Sequence, residues 1–130
     1  MGKLADRLIG LGLEPMKAGE IDTETINSAH QYSVSSNLTA AGATLATATA
    51  LPSMFNRVGT AAASTGVRLP EVDLGVIVTV RNDGANAVLV YPPTSSGVIN
   101  ALAAGAGFSL AAGSTARIIR AATNQFYTGA

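Results

Sequence analysis

The chain has 130 residues, eight basic and eight acidic side chains, one His and no Cys. Zero formal charge removes the long-range field that draws proteins to nucleic acid or anionic lipid, and the absence of Cys removes disulfide staples and thiolate metal sites. Three Phe, three Tyr and no Trp leave a 48% hydrophobic content that is mostly aliphatic and Ala, so any core is built from small side chains.

This length fits one domain with a modest extension. A small domain with a small-residue core holds a thin margin over chain entropy, and the remaining common sources of stability are oligomerisation or docking on a partner, of which oligomerisation, most simply as a homotrimer, is expected. Asp6 and Arg7 interrupt the first apolar run and Pro15 follows it, so no secretion signal is expected, and no apolar run approaches the ~20 residues of a membrane span. Synthesis in a cytoplasm as a soluble protein is the expectation.

Leu4, Leu8 and Leu11 lie at spacings of four and three, with Ile9 and Leu13 beside them. This stripe predicts a short amphipathic helix over residues 3–13, weakened by Gly10 and Gly12, that forms on a partner surface; the plain alternative is a frayed terminus. Leu4, Leu8 and Leu11 are therefore the candidate partner-binding residues. Residues 14–37 are polar and Ser-rich and read as an extended continuation of the arm, with a strand near 31–34.

Composition shifts to Ala, Thr, Val and Gly after Asn37, which places an N-terminal arm at 1–37 and a β domain at 38–130. Residues 43–51 alternate Thr or Leu with Ala and predict a strand ended by Pro52. Residues 75–81 and 87–91 are β-branched runs around Asn82-Asp83-Gly84, which predicts a hairpin with a tight turn, and Pro92 and Pro93 end the second strand. Residues 99–107 read as a loop or one helical turn. Further strands are expected at 107–110, 115–121 and 125–128, with turns at 111–114 and 123–124. The fold class is mainly β: a small sandwich, jelly roll or barrel-like domain with an extended N-terminal arm.

His30 is the single histidine, so a His-pair metal site is excluded and a catalytic triad would have to use this one residue, whose polar surroundings fit a solvated or interface role. Asp22 and Glu24 on the arm make a poor cation template. Glu71 and Asp73 follow Pro70 as ordinary loop charges, and the glycines form neither a dinucleotide nor a phosphate-loop motif. Arg117 and Arg120, three apart in a strand, point to opposite faces; residues 84–130 contain no carboxylate, so their partners come from elsewhere, either the arm or a neighbouring subunit. No catalytic, cofactor-binding or metal residue is assigned, and a non-enzymatic role is expected.

Gly66-Val-Arg-Leu-Pro70, Val78-x-Val80-x-Asn82-x-Gly84-Ala-Asn86, Val90-Tyr-Pro92, Ile99-Asn100 and Gln125-Phe-Tyr127 form a series, in this order and spacing, that resembles a β-rich module of tailed-bacteriophage virion proteins. The likeness is to head-decoration and head-fibre proteins and spans roughly residues 38–130. The family's closing aromatic is often Trp, where this chain has Phe126. The resemblance implies a trimeric cement on the outer surface of the capsid, binding the major capsid protein, with no cofactor and no catalytic residue. A head- or tail-fibre base is the alternative, and a carbohydrate-binding module would need an exposed platform from Tyr32, Tyr91 or Tyr127.

Overall fold

A computed structural model of the chain describes residues 33–129, and these form two β-sheets with no helix among them. The stripe Leu4, Leu8 and Leu11, the helix expected over 3–13, and His30 and Tyr32 lie outside the described residues.

The strands are β1 Val34–Ala40, β2 Thr49–Ala50, β3 Phe55–Ala61, β4 Thr65–Arg68, β5 Ile77–Asn82, β6 Val88–Tyr91, β7 Val98–Ile99, β8 Phe108–Leu110, β9 Thr115–Ala122 and β10 Gln125–Gly129. They form a six-stranded sheet in the order β1-β3-β5-β9-β10-β7 and a four-stranded sheet in the order β2-β4-β6-β8. The mainly β expectation holds. The chain passes from one sheet to the other and back, so that β1, β3 and β5 stack in parallel in the large sheet and β2, β4 and β6 in the small one. This is a solenoid-like winding of three coils, in which Val34, Phe55 and Thr79 occupy equivalent places, closed by the antiparallel strands β8, β9 and β10.

Side-chain alternation explains why the coils stack. Val58, Val78, Val80, Ala116, Ile118 and Phe126 of the large sheet and Val67, Val88, Val90 and Leu110 of the small one all join one buried cluster. β-Branched residues suit this pleated, small-volume interior, and each contributes about 1.5–3 kcal/mol on full burial. Gly66-Val-Arg68 lies beside Leu89-Val-Tyr91, and Ile99 lies beside Phe126, so segments far apart in sequence meet in register.

The hairpin expected at Asn82-Asp83-Gly84 is corrected by the strand pairing: β5 and β6 belong to different sheets and do not pair. Two features decide the outcome. Gly84 is absent from the positive-φ residues, so the turn does not use the conformation a tight hairpin demands. Asn82 is fully buried and builds a corner instead: its Oδ1 accepts from Gly84 N at 2.9 Å, and its Nδ2 donates to Asn86 O at 2.9 Å and Leu110 O at 3.0 Å. Asn86 Nδ2 in turn donates to Ala61 O at 2.9 Å. Gly84 is required by contact, since a Cβ there would stand 2.5 Å from Ala61 N.

One further expectation changes. Only Thr49 and Ala50 of residues 43–51 are strand; Thr44 O accepts from Thr47 N at 3.1 Å and from Ala48 N at 2.9 Å, and the two Thr hydroxyls meet at 2.8 Å. Thr side chains bonding to nearby groups have outcompeted the ladder here. This turn is pinned over the small sheet by Tyr91, whose hydroxyl donates to Ala43 O at 2.9 Å, and by Arg68 donating to Leu45 O at 3.3 Å. β1 runs across residues 37 and 38, where the composition shifts, with a register irregularity and with Asn37 at a φ of 58°.

Candidate functional site

The outward half of the large sheet is where this fold departs from an ordinary solvated surface. Alternation that sends Val78, Val80, Ala116 and Ile118 inward sends Ile77, Thr79, Arg81, Thr115, Arg117 and Ile119 outward. Pairing lines these up in rows across the strands. One row is Ile77, Ile119 and Tyr127; the next is Val34, Phe55, Thr79, Arg117 and Gly129; the third is Arg57, Arg81 and Thr115.

The first two rows enclose two open depressions. One, of about 420 Å³, is lined by Met54, Phe55, Ile77, Thr79, Thr115 and Arg117. The other, of about 260 Å³, is lined by Ile77, Arg117, Ile119 and Gly129. Val34 and Tyr127, at 63% and 49% exposure, extend the apolar area to either side. Gly129 matters by having no side chain, since it leaves Arg117 open on the β10 side.

The third row is electrostatically defined. Asp83 Oδ2 accepts from Arg57 Nε at 2.5 Å and its Oδ1 from Arg81 Nε at 2.7 Å, so one carboxylate bridges two strands. The hydrogen bonds from Arg57 and then Arg81 hold the Asp83 carboxyl below the usual carboxylate range. Arg81 also reaches Thr115 Oγ1 at 3.2 Å. Among the described residues no carboxylate pairs with Arg117, whereas Glu71 lies near Arg120.

Arg117 and Arg120 do point to opposite faces. Arg120 turns inward at the sheet end, 6.0 Å from the Phe126 ring centroid, donates to the carbonyls of Val72 and Thr123, and lies 4.0 Å from Glu71. Its carboxylate partner thus comes from the β domain itself. Of the tyrosines considered as a platform, Tyr91 is buried against Gly66 and Gly107, and Tyr127 stands at the edge of the apolar rows. No group of three His, Cys, Asp or Glu side chains fit to hold a metal occurs among the described residues.

Sequence reasoning placed the partner-binding residues on the arm and missed Phe55, Ile77 and Ile119. Their signal was present as isoleucine at outward positions of β5 and β9, where a solvated strand face carries polar residues. Comparison with models of protein families, with curated proteins and with solved structures finds no match for this chain.

Proposed function

We propose that the chain is a capsid decoration protein of a tailed bacteriophage: a cement that binds the outer surface of the head across major-capsid subunits, docking through the outward face of the six-stranded sheet. The observation that carries the docking surface is the row Ile77, Ile119 and Tyr127 beside Phe55, an apolar strip on a strand face that has no covering layer among the described residues. The assignment to a virion rests on the motif series from Gly66 to Tyr127.

A protein that binds only the expanded shell stabilises that state by its binding free energy. Four rigid β-strands presenting contacts at fixed spacing suit this role, because little ordering entropy is lost on docking. Heads lacking the protein are expected to release their genomes at lower temperature than complete heads, measured by dye access during a thermal ramp. Unchanged release would refute the stabilising role. Lost adsorption with thermally intact heads is the result a fibre base would give.

A further inference from the structure

We propose that the outward face of the large sheet is built to take an acidic, apolar protein surface, with Arg117 receiving a partner carboxylate between two apolar contacts. This deepens the docking reading above and rests on it for the role of the face, but the chemistry is argued from the face itself.

The charge on this face is one-sided. Among the described residues it presents Arg57, Arg81 and Arg117 against the single carboxylate Asp83, and Asp83 is already engaged by the first two. Arg117 stands one row away, lines both depressions, and is flanked across the strands by Thr79 and by Gly129, neither of which supplies charge. A guanidinium in such a place is a planar donor fork whose natural complement is a carboxylate.

Spacing then defines the partner further. Ile119 is two residues along β9 from Arg117, a separation of about 7 Å, and Ile77 is its cross-strand neighbour on β5. A partner carboxylate on Arg117 therefore needs a bulky apolar side chain about 7 Å away along the strands to meet Ile77 and Ile119, and a second about 10 Å away across the strands to enter the depression beside Phe55 and Met54. An extended segment with an acid at its centre and an apolar residue two positions to one side meets the first requirement, and an apolar residue on its other side meets the second where the segment bends across the sheet toward β3.

The probe is a pair of acetylated, amidated pentapeptides, Phe-Thr-Glu-Thr-Leu and its counterpart with Gln in place of Glu, titrated into the full chain and followed by amide NMR shifts. Shifts are expected at Ile77, Thr79, Arg117 and Ile119, with the Glu peptide about tenfold tighter than the Gln peptide. R117Q should bring the Glu peptide to the affinity of its counterpart, and R117K should restore part of the difference. Equal affinity for the two peptides, indifference to R117Q, shifts on the small sheet, or no response at millimolar peptide would each overturn the proposal. Self-association by sedimentation that I77D abolishes would also overturn it, by showing that a second copy of the chain takes the face. No capsid enters these measurements, so a failure of the virion role and a failure of this chemistry remain distinguishable.

Discussion

Replacing Asn82 tests whether the chain turns a corner between sheets or folds back on itself. Asn82 is wholly buried and its side chain makes three hydrogen bonds, to Gly84 N, Asn86 O and Leu110 O. At about 1 kcal/mol for each, N82A should lose about 3 kcal/mol, with a further contribution from the void left among Gly84, Asn86 and Leu110. N82D is nearly isosteric yet worse, because it aims a carboxylate oxygen at two carbonyls. Urea unfolding followed by circular dichroism should show the N82A midpoint falling by about 1–3 M at unchanged slope, given slopes of about 1–3 kcal/mol/M. In N82D, burial and the facing carbonyls raise the folded-state pKa above the unfolded value, so its deficit is full above the folded pKa and shrinks as pH falls toward the unfolded one. A loss below about 0.5 kcal/mol in N82A would refute the corner, since an exposed hairpin position gives that result.

The remaining predictions address other joints. G84A should lose about 2 kcal/mol, and G84N no less, because the obstacle is contact with Ala61 and not backbone conformation; a hairpin would accept Asn there, and chemical denaturation separates the cases. Y91F should lose about 1 kcal/mol and speed hydrogen exchange in residues 43–48, which lose the tie to Ala43 O. Since Asp83 has a folded pKa below its unfolded value, the stability it contributes is present above about pH 4 and is lost as pH falls through the folded pKa. D83N should accordingly flatten the acid limb of a stability profile measured below about pH 4. Deleting residues 1–32, which stops short of β1, should leave a cooperatively folding domain, whereas its affinity for expanded capsids should fall at least about tenfold if Leu4, Leu8 and Leu11 contact the shell.

Much of the local structure was legible. The strands at 107–110, 115–121 and 125–128 and their turns follow from β-branched runs between Gly, Ser and Asn, and the observed β8, β9 and β10 begin and end within a residue or so of them. Pairing was not legible for β5 and β6. Two apolar runs around Asp-Gly are compatible with a hairpin or with a change of sheet, and what separates them is the burial of Asn82 against Leu110, a contact with a residue 28 positions away. Residues 43–48 misled because alternating Thr and Ala fit a strand face, while the Thr hydroxyls had local partners. The candidate face was half visible: the opposed directions of Arg117 and Arg120 follow from period two alone. That Ile77 and Ile119 sit side by side required the antiparallel pairing of β5 with β9.

The most direct test of the docking surface is a binding titration of expanded, undecorated heads with the wild-type chain, with I77D/I119D on the outward face of the large sheet, and with S109D on the exposed part of β8 as control. S109D should unfold with the wild type, whereas the facing carboxylates of I77D/I119D lower its midpoint, so binding is compared under conditions where all three are folded. Burying two isoleucines contributes about 3 kcal/mol or more, so I77D/I119D should bind at least about a hundredfold more weakly while S109D binds as wild type. Wild-type affinity in I77D/I119D would contradict the account and move the docking surface off this sheet.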